Sequence, residues 1–480
     1  MPIKKQLGVT SYLNYGGGRG LYQGEAKQPG AFEPRIFGIK VHRHFQTFAR
    51  HHYGGGEVYM WQPYADNRLM VQRTPQNMRS DEYLELLKAN GIDAIWGIQG
   101  QAAFQDTIGQ FDKVQPINEA DDPEDPSSWY ALAEHAYQLA LRYAHDTTDA
   151  ATVPSVYTDP TDYRSNEPKK GLGLLRAIEI LNEVNINGDW IGASRTLGPE
   201  AGAAAFYAAY TEVRSISKIT LYTPSFVGIN MEILMAFSDR LRALMNGAPL
   251  ENVVLNFHWY PRKNNQEQGQ EGTDTGASPE EAGFHDFGLQ MDGLCETYGY
   301  TAWGCTETGT SAADPVDTSK NACPIQEGMT QLESQGPILL RMFLAWASCK
   351  HFDAVTFWHC RDGYDQGAYL NGGMCLDDRD WTPKPVLGYL EAFIGKFGDY
   401  EKVHDYQNTG GVYTASISGP LGTSVLYWTG GNNNGEFTPD PMQTIVTSPT
   451  YPPIDPPIPT LPDMIKLGES AEGTFYFKKK

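Results

Sequence analysis

The feature that most constrains this chain is an alternation that begins near residue 36. Short apolar runs rich in β-branched residues are followed, again and again, by stretches whose apolar positions recur at helical spacing. Such alternation argues for an α/β protein with a parallel sheet, because a parallel neighbour needs a crossover long enough to hold a helix. Residues 36–41 read as strand 1, 70–73 as a weaker strand 2, 92–98 as strand 3 and 174–181 as strand 4. Residues 219–223, 253–257, 302–306 and 354–358 read as strands 5 to 8. Helices are expected over 81–90, from Ser128 to about 143, and over 199–213, 229–245, 337–350 and 386–397. A further helix is expected to open at Ser278-Pro279-Glu280-Glu281, a capping-box pattern with proline at the first helical position. Eight strands of this kind close into a (β/α)8 TIM barrel, here across residues 36–400.

At 480 residues the chain is long enough for this barrel and one small domain. Beyond residue 400 the helical spacing stops and short strands alternate, as at 412–417 and 424–428, so residues 401–480 read as a small β-sandwich-like module. The proline-rich stretch 448–462 is expected to be extended, since proline supplies no ladder donor. Residues 1–35, with a strand over 6–13, are expected to pack with this C-terminal module.

Charge narrows the partners. With 58 acidic against 37 basic side chains the net charge is -21, which repels phosphate backbones and anionic membrane surfaces. Nucleic acid and membrane are therefore not expected partners, and a neutral substrate fits better. No run reaches the ~18 apolar residues of a membrane span, and Met1-Pro2-Ile3-Lys4-Lys5 leads into no apolar signal core. The six cysteines lack CxxC spacing, which argues against a zinc knuckle. They read as buried thiols, with a Cys323–Cys375 disulfide as the alternative in an oxidising compartment.

Two short segments carry the chemistry. Leu181-Asn182-Glu183-Val184-Asn185 closes the fourth expected strand and Cys305-Thr306-Glu307-Thr308-Gly309 the seventh. Both carboxylates therefore fall at the C-terminal mouth of the barrel, where sites of this fold are built. Alternation along strand 4 places Glu179, Leu181 and Glu183 on one face, with Glu183 at the mouth. Two glutamates about 5 Å apart can cleave a glycosidic bond with retention, one as acid/base and one as nucleophile.

Asn182-Glu183 after strand 4, His258-Trp259-Tyr260 after strand 6, Glu307 after strand 7 and Trp358 after strand 8 together resemble the retaining glycoside hydrolases of clan GH-A. The resemblance covers the barrel. It implies Glu183 as acid/base, Glu307 as nucleophile, Asn182 on the sugar 2-hydroxyl, Tyr260 orienting Glu307 and Trp358 flooring the subsite of the cleaved sugar. His258 matches the histidine that precedes this tyrosine by two residues, and Arg73 is the candidate for an arginine after strand 2. Trp61, Trp190, Trp259 and Trp303 are candidates to extend an aromatic platform, although packing is the stronger reading for Trp61 and Trp303, and His44 is expected to line the cleft or to pack. The substrate implied is a β-linked polysaccharide or oligosaccharide, a β-glucan first, attacked internally. No cofactor and no metal is called for, and a polysaccharide hydrolase is expected to be secreted or periplasmic.

Two other readings compete. His42-Arg43-His44 at the end of the expected strand 1, together with His258, suggests a metal-dependent amidohydrolase barrel, but the expected strand 5 carries no histidine for such a site. A glycan-binding barrel without chemistry is the other, against which both glutamates stand. Glu179 reads as an interior charge paired with Lys40 or Arg176, and Arg361 and Asp362 as a rim ion pair or substrate contacts.

Overall fold

The computed structural model describes residues 1–11, 41–47, 80–99, 116, 121–148, 169–185, 187–188, 193–194, 197–228, 230–262, 276–319, 321–326, 328–358, 362, 371–374, 383–419, 422–429 and 476–479. Eight parallel strands form a closed ring: β1 (Leu7–Ser11), β2 (Val41–Thr47), β3 (Asp93–Gln99), β4 (Ala177–Glu179), β7 (Thr220–Tyr222), β9 (Val253–His258), β10 (Ala302–Thr308) and β11 (Phe352–Trp358). β10 pairs with both β9 and β11, and β11 pairs back to β1, which closes the barrel. Two short strands, β5 (Asn187–Gly188) and β6 (Ala193–Ser194), pair with each other, and β8 (Phe226–Val227) lies beside β9.

The start of the ring corrects the sequence reading. β1 belongs to the barrel, between β11 and β2, and among the described residues it pairs with no C-terminal strand. Val41–Thr47 is consequently the second barrel strand, and His42-Arg43-His44 lies on it rather than on the first. The expected strand at 70–73 lies outside the described residues. The N-terminal turn Ile3–Lys5 does meet the far end of the barrel domain, where the Ile3 and Lys4 amides donate to the Tyr400 and Gly398 carbonyls at 3.0 and 2.9 Å.

Among the described residues, the helices that cover the ring are α1 (Ser80–Ala89), α2 (Tyr130–Tyr143), α3 (Pro199–Arg214), α4 (Met231–Leu244), α5 (Phe284–Tyr298), α6 (Gln331–Ala347) and α7 (Pro385–Phe397). Local chemistry sets their starts. Pro199 occupies the first position of α3, and the Asn230 side chain accepts from the Glu232 and Ile233 amides to cap α4. Thr330 and Glu333 form the capping box of α6, so this helix begins well before the expected 337 and carries Pro337 inside it. The Ser278–Glu281 box is formed, with Glu281 N to Ser278 Oγ at 3.3 Å, yet it closes only one turn. Gly283 then takes φ +76°, and α5 starts at Phe284.

Side chains alternate across each strand, and the two faces differ in kind. Outward residues such as Leu7, Val9, Trp96, Leu221, Phe257 and Val355 join the main core beneath the helices. Inside the ring, Ile95, Ala177, Tyr222 and Val254 form a small apolar layer. Below it, Arg176 Nη2 lies 2.6 Å from Asp353, which also accepts the Tyr222 hydroxyl. Burial, and then the Asp353 charge, hold the Tyr222 phenol well above its ordinary pKa. Arg176 is thus committed to Asp353 rather than to Glu179. Above the apolar layer comes a polar one, where Thr10 Oγ1 lies 2.9 Å from Thr356 Oγ1 and 3.0 Å from the Thr306 carbonyl oxygen.

The described residues of the C-terminal module form one antiparallel sheet in the order β12 (Lys402–Thr409), β13 (Val412–Gly419), β14 (Gly422–Thr429) and β15 (Tyr476–Lys479). Gly410 and Gly411, both at positive φ, make the two-residue turn of the first hairpin. The sheet is fixed to the barrel by Trp428, whose indole N–H donates to Glu280 Oε1 at 2.7 Å, and by His285, whose ring stacks on Tyr406 at 4.3 Å. Glu280 is itself paired with Arg341 of α6, and both side chains are buried. Cys295, Cys323 and Cys349 are buried free thiols, so Cys323 is not in a disulfide, and Cys305 is buried. Among the described residues no helix is long and apolar enough to cross a membrane.

Candidate active site

The site is assembled from the C-terminal ends of β4, β9, β10 and β11. On β9 the interior positions are Val254, Asn256 and His258, so the histidine, fully buried, ends the strand at the mouth. Its ring is held from both sides. Nε2 lies 2.9 Å from Thr306 Oγ1, which also meets the Asn256 amide nitrogen at 2.8 Å. Nδ1 faces Glu183 Oε1 at 3.0 Å and Glu307 Oε2 at 3.7 Å, while Glu179 Oε1 lies 3.7 Å from Nε2. Three carboxylates thus surround one imidazole.

Glu307 reaches the mouth by a break in alternation. Thr306 faces the barrel interior, so strict alternation would send Glu307 outward with Trp303. The ladders from β10 to β9 and from β10 to β11 both shift register after Cys305, and this irregularity re-aims the glutamate. Its Oε1 accepts the Tyr260 hydroxyl at 2.9 Å.

Glu183 arrives by another departure. β4 ends at Glu179, and Leu181 and Glu183 take φ of 71° and 47°, a region that side chains with a Cβ seldom occupy. The alternation expected through Leu181 therefore stops, and Leu181 joins the main core. The turn is held by Ser225, whose Oγ accepts from the Glu183 amide at 2.9 Å and whose carbonyl accepts from the Val184 amide at 3.2 Å. Asn185 adds two bonds to Val227, at 2.8 and 3.3 Å. Phe226 and Val227 are β8, which pairs with Phe257 and His258. The loop carrying Glu183 is thereby tied to the strand carrying its partner.

Of the residues singled out in the sequence, Glu183, His258, Tyr260 and Glu307 converge. Asn182 is buried in the same turn, and Trp358, half-buried, shares the interior face of β11 with Thr356. Trp303 does not belong to the site. It is wholly buried on the outward face, tilted against Phe257 and edge-on to Trp346 and Phe352, and its indole donates to Asp292 at 2.8 Å. Trp259 is likewise buried against Phe284, at 4.2 Å. The side chains of His42 and His44, and residues Trp61, Arg73 and Trp190, lie outside the described part. Asp362 pairs with Lys384 at 3.1 Å. Asn256, Thr306 and Ser225, which orient the site, were not singled out; only the interior parity of Asn256 with His258 pointed to one of them.

An ion could be held among the described residues by Glu183, His258 and Glu307, whose ligand atoms lie within 4.8 Å of one another. The same arrangement sets two carboxylates beside one imidazole at the barrel mouth.

No protein-family model matches the sequence, and no curated protein matches it. Solved structures share its fold. A family 39 glycoside hydrolase from the gut symbiont Bacteroides cellulosilyticus WH2 is similar over 89% of this chain and 71% of its own, at 14% identity and a TM-score of 0.52. A glucosidase from Croceicoccus marinus is similar over 90% of this chain and 76% of its own, at 11% identity and a TM-score of 0.53. The likeness is one of fold.

Proposed function

We propose that this chain is a retaining glycoside hydrolase that works without a metal, with Glu183 as acid/base and Glu307 as nucleophile. The observation that carries the reading is the separation of the two carboxylates. An oxygen of each lies within 4.8 Å of the other, which fits two carboxyl groups ~5 Å apart, the spacing a double displacement needs. That the two similar solved structures are named a glycoside hydrolase and a glucosidase supports the substrate class, a carbohydrate.

Glu307, held by the Tyr260 hydroxyl, attacks the anomeric carbon while Glu183 gives its proton to the departing oxygen. A water then attacks the glycosyl-enzyme ester, Glu183 takes the water's proton, and Glu307 is released as a carboxylate. Asn182 holds the 2-hydroxyl and Trp358 offers its face to the sugar ring. A β-linked polysaccharide cleaved internally, a β-glucan first, is the proposed substrate.

The test is reducing-end release from β-glucans, mannans, xylans and galactans by the parent and by Glu307→Gln, with and without chelator. Release by the parent alone, indifferent to chelator, is expected. Chelator-sensitive release would favour the second use of the Glu183, His258 and Glu307 atoms, a bound cation.

A further inference from the structure

We propose that Lys384 is a positioning residue, whose buried ammonium locks the loop after Glu307 to the loop after Trp358 and so fixes the proposed nucleophile relative to the proposed sugar platform. The kinetic part of this proposal rests on the glycosidase reading; the locking of the loops does not.

Lys384, the residue before α7, is 2% exposed, and its Nζ meets three groups: the Ala312 and Asn371 carbonyls, each at 2.8 Å, and the Asp362 carboxylate, at 3.1 and 3.4 Å. An ammonium has three donors, and all three are used. Ala312 follows Glu307 by five residues, and Asp362 follows Trp358 by four. One side chain therefore spans both active-face loops. The far side of the clamp is closed by Asp362 Oδ1, which accepts from the Gly373 amide at 2.8 Å, and by the Lys384 amide, which donates to the Met374 carbonyl at 2.9 Å.

Other bridges join the same loops. Gln335 of α6, fully buried, donates to the Thr310 carbonyl at 2.7 Å and the Gly372 carbonyl at 3.4 Å. The Ala312 amide donates to the Asn371 carbonyl at 2.9 Å, and Asn371 Nδ2 donates to Asp317 Oδ2 at 2.8 Å. At the strand ends there is no slack, since a Cβ on Gly309 would lie 3.1 Å from the Trp358 carbonyl oxygen. A displacement of either loop is passed to the other.

A buried charge is an expensive brace. Burial pulls the Lys384 ammonium below its ordinary pKa, against the opposing pull of Asp362. Apolar side chains fill such a space with equal or better stability, whereas a fully bonded charge admits one arrangement of its partners. The choice of lysine here is that of a device for geometry.

The test compares the parent with Lys384→Met, similar in length but uncharged, and with the milder Asn371→Ala, which removes only the bond to Asp317. Hydrogen exchange is followed in residues 309–319 and 371–374, with α2 as an internal reference, and kcat and KM are measured on whichever glycoside the parent cleaves. Exchange should quicken in both loops together and not in α2. The kcat of Lys384→Met should fall about tenfold or more, as expected for misplaced reacting groups, with KM much less changed and Asn371→Ala intermediate. Unchanged exchange in either loop overturns the clamp, and loosened loops with full kcat overturn its role in positioning. A parent silent on every glycoside would sink the glycosidase reading instead, and exchange would still decide the clamp. Should Lys384→Met not fold, Asn371→Ala carries the same comparison.

Discussion

His258 Nδ1 lies 3.0 Å from Glu183 Oε1, so a side chain from the turn after the fourth barrel strand and one from the end of the sixth form a single hydrogen-bonded pair at the mouth. The histidine cannot turn away, because its other nitrogen is engaged by Thr306. The glutamate is fixed just as firmly, by a turn of positive φ tied to Ser225. Both partners of the pair are thereby held in place.

Glu183→Gln is predicted to lower kcat by about 10²–10⁴-fold on glycosides whose leaving oxygen needs a proton. On an aryl glycoside with an acidic phenol the formation of the glycosyl-enzyme should be far less affected. Pre-steady-state phenol release on the two substrate types checks this, and equal losses would contradict an acid role for Glu183.

Tyr260→Phe removes the hydroxyl that donates to Glu307 Oε1. A hydrogen bond to a charged group contributes about 1.5–3 kcal/mol, so kcat/KM should fall roughly 10–100-fold. The thermal midpoint should barely move. Unaltered kcat/KM would show that Tyr260 does not hold the nucleophile.

The alternation in the sequence revealed six of the eight barrel strands near their true positions, because each run of β-rich residues is buried on its outward face by a neighbouring helix. The first strand was misplaced for a different reason. Leu7–Ser11 looks like any short strand, and its pairing with β11, some 350 residues away, is a non-local fact that periodicity does not carry. Glu183 and Glu307 were legible as strand-end carboxylates, but not the backbone that aims them. Strict alternation misdirects in both cases, through positive φ at Leu181 and Glu183 and through the register shift after Cys305. Trp303, for which packing was the stronger of two readings, lies in the outer core; parity alone does not say which face is inside.

The Glu280–Arg341 pair is predicted to be the main tie between barrel and C-terminal sheet. Arg341 Nε donates to Glu280 Oε1 at 2.9 Å, Nη1 donates to Gln326 at 2.9 Å, and the same Glu280 oxygen accepts Trp428. Glu280→Ala leaves a buried guanidinium without its counter-ion, which should cost about 3–5 kcal/mol. Denaturant unfolding measures the loss. A loss below about 1 kcal/mol, the range of exposed pairs, would contradict it.

His285 supplies a pH dependence. Its imidazole, stacked on Tyr406, is drawn by burial below its ordinary value of 6.5, with Asp286 and Asp292 opposing. The unfolded chain therefore binds more protons than the folded one in the window just below pH 6.5. This contribution to stability is complete above 6.5 and is lost as the pH falls through the folded-state value. Denaturation midpoints on either side of pH 6.5 should separate more for the parent than for His285→Gln, and equal separations would contradict the assignment.

The stereochemistry of the first product tests the central claim most directly. With the carboxylate oxygens of Glu183 and Glu307 within 4.8 Å, proton NMR of the sugar released early in hydrolysis should show the anomer of the substrate. Early appearance of the opposite anomer would mean a single displacement by water and would contradict the account.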